Sequence, residues 1–165
     1  MRRSAGQGET YEKTKHEKPH MKKTTIKKRP SSVLFACSMN AVRSPMAEAL
    51  AKQILGRSLF IDSAGVHSQA LDPFAMCVMR ELGIEISTHH TKTFDDINAE
   101  SFDLIIALSQ EALARAQEFG RTADVEIDYW PVPDPTDDGN TRDQKLDAYR
   151  TTRDDIKNRI IARLA

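Results

Sequence analysis

Residues 33–36, Val-Leu-Phe-Ala, make a short apolar run that ends on Cys37; after five intervening residues comes Arg43, followed at once by Ser44 and Pro45. An apolar run with β-branched and aromatic members suits a strand buried on both faces. Ser-Pro reads as a helix start, with Ser44 as N-cap, Pro45 as the first helical residue and Glu48 in the first turn. Between strand and helix, the spacing lets backbone N–H groups curl into a nest around a tetrahedral anion. A thiolate placed there is stabilised by the helix terminus and by a neighbouring guanidinium. Arg43 can grip two phosphoryl oxygens at once, which a lysine could not do. The chemistry expected of this segment is in-line attack of Cys37 on phosphorus, giving a phosphocysteine.

Such a turn needs a sheet to carry it, and the remaining pattern supplies one. Residues 59–62 read as a second strand, closed by Ser63-Ala64-Gly65. Asp72-Pro73 starts a helix carrying Phe74, Val78 and Leu82 and stopped by Gly83. Residues 104–108 read as a third strand, and Ser109 caps a helix that runs through Phe119 to Gly120. Residues 125–132 give a fourth strand, and a helical stripe of Leu146, Tyr149, Ile156, Ile160 and Leu164 closes the chain. Strands alternating with helices imply right-handed crossovers and an α/β parallel sheet covered on both faces. Ligands in such sheets sit beyond the carboxyl ends of the strands, where Cys37 and the turn-rich segment from Pro133 to Gly139 both fall. Asp134 in that segment is the natural proton donor to a leaving oxygen. A carboxyl beside a phosphate dianion keeps its proton because like charges repel, and once it has given it up it can take one from water. The loop N–H groups, Arg43 and the helix end supply the positive potential, so no metal and no cofactor is expected.

Charge divides the chain in two. Residues 1–30 hold ten Lys/Arg against three Glu, whereas residues 31–165 hold fourteen against twenty-one. The first segment, with few apolar residues, is expected to be a basic disordered tail, and residues 31–165 a single domain. Nucleic acid is not an expected partner, because an acidic body repels a phosphate backbone. No apolar stretch is long enough for a membrane span. Only two cysteines occur, Cys37 and Cys77, so no disulfide framework is expected and a reduced, cytoplasmic setting fits.

From residue 32 to the end, the chain resembles the low-molecular-weight protein-tyrosine phosphatase family. That family's loop reads Cys-x-Gly-Asn-x-Cys-Arg-Ser-Pro, against Cys37-Ser38-Met39-Asn40-Ala41-Val42-Arg43-Ser44-Pro45 here. Asp62-Ser63-Ala64-Gly65, Gly83-Ile84 with His89, Phe102-Asp103-Leu104-Ile105-Ile106 and Asp134-Pro135 match in order and spacing. The resemblance implies a three-layer sandwich whose four-stranded parallel sheet has the order 2-1-3-4, with the phosphate loop after the first strand. It implies Cys37 as nucleophile, Arg43 as phosphate clamp and Asp134 as acid and then base. Ser38, Met39, Asn40, Ala41 and Val42, with Arg43 and Ser44, would bind the phosphate. Ser44 would hydrogen-bond the thiolate. Asn40 would hold a strained turn, since Asn tolerates positive φ, with His89, or its neighbour His90, as partner. The implied reaction is hydrolysis of a phosphate monoester, on a phosphorylated protein or a small ester, with protein phosphotyrosine the expected substrate.

Three features depart from the family pattern. Met39 replaces a glycine. Val42 replaces the second loop cysteine, so no protective disulfide can form there, and Cys77 on a helical face is expected in the core. Thr136-Asp137 follow Asp134-Pro135 where the family has two aromatics, and residues 66–71 also lack the family's aromatic; Tyr129 and Trp130 are the rings that could substitute, but packing in the strand core is the role expected of them. Two alternatives stay open. An arsenate reductase of the same fold would start from the same thiolate but needs further cysteines, of which only Cys77 is available. A catalytically retired module that binds oxyanions or phosphoproteins would not need Asp134.

Overall fold

The computed structural model describes residues 29–165; the expected tail, but for its last two residues, lies outside the described residues. The first strand, β1 (Ser32–Cys37), is buried at every position. It lies in the middle of a parallel sheet with β2 (Phe60–Gly65), β3 (Leu104–Ala107) and β4 (Glu126–Tyr129), in the order β2-β1-β3-β4. This is the expected order. Because side chains alternate across a strand, β1 feeds two cores. Val33, Phe35 and Cys37 join one cluster, and Leu34 and Ala36 join the other.

Helices cover both faces. The first cluster packs against α1 (Arg43–Leu55), α2 (Pro73–Arg80) and α4 (Arg142–Leu164), and the second against α3 (Gln110–Gly120). Several starts are locally encoded. The Asp72 carboxylate accepts from the N–H groups of Phe74 and Ala75, and the Ser109 hydroxyl accepts from that of Ala112. Thr141 and Gln144 close a capping box on α4, which removes orphan N–H groups at the start of a helix about 34 Å long. After α2 the chain turns through Gly83 at φ 74°, a conformation that glycine adopts without steric cost. Among the described residues, no helix is long and apolar enough to cross a membrane.

Three expectations are corrected. Ser63, Ala64 and Gly65 do not close β2 but belong to it, because its pairing with β1 continues in register as far as Cys37 opposite Gly65. The fourth strand ends at Tyr129 rather than at residue 132. Trp130 and Val132 still donate to the carbonyls of Ala107 and Leu108, but Pro131 and Pro133 have no N–H to give a ladder. Ser44 is no N-cap: α1 starts at Arg43, and Val42 stands at the cap without a side-chain bond. The Ser44 hydroxyl is engaged elsewhere.

The α2 and α4 helices are tied at one end by Glu81, which accepts from Arg150 (2.6 Å at the shortest) and from Arg153 (2.9 Å). The Arg150 bond, and after it those of Arg153, hold the Glu81 carboxyl at about 2. A folded value below the unfolded one stabilises the native state above the unfolded value and stops doing so as the pH falls through the folded value. Glu81→Gln should therefore lower Tm at neutral pH. The gap from wild type should close as the pH drops from about 4.5 to about 2, which thermal melts across that range would read.

Candidate active site

Cys37 is the last residue of β1 and 2% exposed, and Arg43 is the first of α1 and 8% exposed. The loop between them is held from outside by its carbonyls. Those of Cys37, Ser38, Met39 and Ala41 accept from the N–H groups of Val66, His67, Gln69 and Asp72, at 2.8–3.1 Å. The C=O and N–H of a trans peptide point in opposite directions. The N–H groups of Ser38, Met39, Asn40 and Val42 are thereby turned away from the main-chain donors that hold the loop.

Gly65 allows the loop to come so close. A Cβ there would lie 2.6 Å from the Asn40 nitrogen and 2.2 Å from the His67 carbonyl, distances no side chain tolerates. Gly65→Ala should displace the loop and reduce kcat/KM by about 100-fold, with binding of inorganic phosphate weakened in parallel.

The Ser44 hydroxyl lies 2.9 Å from the Cys37 sulfur. It accepts from the Asn40 amide at 2.8 Å, and its own proton can go to the sulfur or to the Ala64 carbonyl at 3.4 Å. Asn40 stands at φ 50° and is fully buried. Its amide also donates to the Ser63 hydroxyl at 3.0 Å, and its carbonyl oxygen lies 3.0 Å from His89 Nε2 and 3.0 Å from the Lys92 N–H. His89, not the exposed His90, is thus the residue beside Asn40. The Ser63 hydroxyl donates onward to Glu48 at 2.7 Å, and His89 Nδ1 is 3.8 Å from the same carboxylate oxygen. Burial pushes the His89 imidazole below its ordinary value, against the pull of Glu48. Ser38 bonds the Ser109 hydroxyl at 3.1 Å, linking the loop to the start of α3.

Arg43 is held by backbone. Its Nη1 donates to the carbonyl of Val132 at 2.8 Å and more weakly to that of Leu108 at 3.4 Å. Its Nη2 is 3.8 Å from Asp134 Oδ2. Asp134 in turn accepts on Oδ1 from the N–H of Thr136 at 3.0 Å and from the Thr136 hydroxyl. A cleft of about 70 Å³ is lined by Cys37, Met39, Ala41, Val42, Arg43 and Asp134, with Gln69, Ala70, Asp72 and Thr136 at its walls. Residues nearly 100 positions apart therefore face one small space. Sulfur, guanidinium and carboxyl thus line one cleft.

Neither Tyr129 nor Trp130 lines this cleft. Trp130 is buried and packs on Phe35, with ring centroids 6.1 Å apart, and Tyr129 stands on the edge strand. Trp130 packs in the core as expected, whereas Tyr129 is 37% exposed, and neither gives this cleft an aromatic wall. Cys77 is half-buried against the core and does not line the cleft either. Sequence reasoning missed Glu48, Asp72 and Tyr149. The Tyr149 hydroxyl donates to Asp72 Oδ2 at 2.7 Å, and Asp72 is the residue whose N–H holds the Ala41 carbonyl.

Comparison with known proteins gives concordant matches. The family model for low molecular weight phosphotyrosine protein phosphatase matches residues 32–165. An arsenate reductase of Bacillus subtilis (strain 168) is 32% identical over 128 residues, spanning 78% of this chain and 91% of the relative. A solved arsenate reductase in the oxidized state superposes with a TM-score of 0.70 at 28% identity, covering 82% of this chain and 99% of the other. The YwlE arginine phosphatase, solved with a phosphorylated active-site serine, gives a TM-score of 0.64 at 29% identity, covering 77% and 89%.

Proposed function

Because the chain belongs to the low molecular weight phosphotyrosine protein phosphatase family, a group of phosphatase and arsenate reductase type, we propose that it hydrolyses phosphate monoesters through a phosphocysteine on Cys37. The observation that carries this reading is the meeting of Cys37, Arg43 and Asp134 around one cleft sized for a small oxyanion. The thiolate, hydrogen-bonded by Ser44, attacks phosphorus; the S–P bond forms as the P–O bond to the leaving group breaks. Asp134 gives its proton to the departing oxygen. Water then attacks the phosphocysteine, Asp134 takes a proton from it, and phosphate and the thiolate are released. Arg43 and the loop N–H groups hold the equatorial oxygens, and their positive potential is greatest for the charge of the transition state.

The substrate we propose is phosphotyrosine on a protein, with its ring resting on Met39 and Ala70 in place of aromatic walls; a thioether is a favourable neighbour for a ring. Values of kcat/KM across phosphotyrosine, phosphoserine and phosphoarginine peptides and small esters test it, and a preference for any other class would reassign the substrate. The general acid is tested by Asp134→Ala. The loss should be about 10²-fold or more with poorly acidic leaving groups and small with strongly acidic ones. Equal losses would remove Asp134 from that role.

Arsenate reduction is the second reading, favoured by the relatives that carry that name. Taking As(V) to As(III) requires two electrons, hence a second thiol to displace arsenite from the Cys37 adduct and leave a disulfide. Val42 occupies the loop position and Cys77 stands outside the cleft, so an external thiol would have to complete the step. Thiol-dependent arsenate turnover, set against hydrolysis of an aryl phosphate, separates the two.

A further inference from the structure

Asp134 is held by a line of side chains that runs back to the phosphate cradle. It lies on a loop without regular structure, and its side chain is 53% exposed, so nothing in the packing alone fixes its rotamer. Besides the Arg43 guanidinium, 3.8 Å from Oδ2, what holds it is Thr136, which turns both its N–H and its hydroxyl onto Asp134 Oδ1. The Thr136 side chain also meets the hydroxyl of Tyr149. Tyr149 is buried in α4 and donates to Asp72 Oδ2. Asp72 is itself pinned, its N–H on the Ala41 carbonyl and its Oδ1 on the first N–H groups of α2.

Counting protons shows what the line can do. Burial, and after it the bond to Asp72, push the Tyr149 hydroxyl well above the ordinary phenol value, so it keeps its one proton and spends it on Asp72. Its oxygen then offers only lone pairs to Thr136. The Thr136 hydroxyl also has one proton, but two acceptors compete for it: Asp134 Oδ1 and the Tyr149 oxygen. When Asp134 is ionised, the charge-assisted bond to the carboxylate is the stronger. When Asp134 carries a proton, its oxygen is a weaker acceptor; the Thr136 hydroxyl can rotate to Tyr149 and accept from the carboxyl instead.

We propose that Thr136 and Tyr149 are positioning residues that hold the Asp134 carboxyl over Cys37 in both of its protonation states, with Asp72 tying them to the cradle. The inference rests on the reading of Asp134 as acid and then base. It assigns a role to Thr136 at the place where the family's aromatic is missing.

The test is the leaving-group dependence of kcat, measured on the full chain for Tyr149→Phe, Thr136→Val, Thr136→Ser and Asp134→Ala with a series of aryl and alkyl phosphates. Tyr149→Phe and Thr136→Val should lower kcat about tenfold for the least acidic leaving groups and less than twofold for the most acidic, with KM little changed. Thr136→Ser, which keeps the hydroxyl, should recover most of the loss. Thr136 is exposed and Tyr149→Phe preserves the ring, and melting curves would confirm that each variant is folded. Losses equal across the series, no losses, or a serine variant as poor as the valine one would overturn the proposal. Leaving-group dependence in Asp134→Ala alone would overturn the relay and leave Asp134 as the acid; its absence from all of the variants would overturn both.

Discussion

Cys37→Ser is expected to reduce phosphate ester turnover by about 10⁴-fold or more. The substituted oxygen lies at the same point of the cradle, but a serine hydroxyl holds its proton far more tightly than a thiol, and the neutral Ser44 hydroxyl 2.9 Å away is no base. Among the described residues no imidazole takes its place: His89 faces Asn40, His90 is exposed, and His67 is exposed on the outer loop and 3.6 Å from Glu111. The rest of the site does not depend on the sulfur, because the loop is fastened by its carbonyls and Arg43 by Val132. Affinity for inorganic phosphate, measured by calorimetry, should therefore stay within a few-fold of wild type while kcat collapses. A variant that lost both together would mean a damaged fold rather than a missing nucleophile. Residual turnover within tenfold of wild type would show that the sulfur is not the attacking atom.

Arg43→Lys should cost about 10³-fold in kcat/KM, more than the loss of a single oxyanion donor. The guanidinium performs two tasks through its fixed fork: Nη1 satisfies the carbonyl of Val132 and approaches that of Leu108, while Nη2 remains on the side of Asp134 and the cleft. An ammonium is a point donor on a flexible stem and cannot span both. Either the Val132 carbonyl loses its partner, or the oxyanion loses its clamp. The first outcome would appear as a lower Tm and the second as weaker phosphate binding, so melts and calorimetry on the same variant show which side the lysine takes. Full activity in Arg43→Lys would refute the bidentate role.

The parts of this site that could be read from the sequence are those written in consecutive residues. A buried strand, a six-residue spacing and a helix start sit side by side from residue 33 to residue 48, and local sterics determine most of what such a segment can do. The strand order came with the family resemblance, and the nearness of Asp134 from topology, because parallel strands deliver their carboxyl ends to one edge. What stayed hidden was partnership across elements. Ser44 has every local mark of an N-cap, yet its hydroxyl is taken by a sulfur and an amide that only the turn of the loop brings within reach. Ser63-Ala64-Gly65 looks like the end of a strand and is its continuation, because register with β1 outweighs the local preference of small residues. Tyr149 reads as one apolar tooth of a helical stripe; that its hydroxyl meets Asp72, 77 positions away, has no local signature. Trp130 illustrates the converse, an aromatic expected in the core that is found there against Phe35.

Residues 66–72 grip the phosphate loop with main-chain donors alone, through Val66, His67, Gln69 and Asp72. Any amino acid but proline carries the same donor, so the side chains at Gln69 and Ala70, which form one wall of the entrance, are released from structural duty. Mutational drift there can change which molecules are admitted while the reaction itself is left alone. Within one protein, the engine and its gate are free to evolve at different speeds.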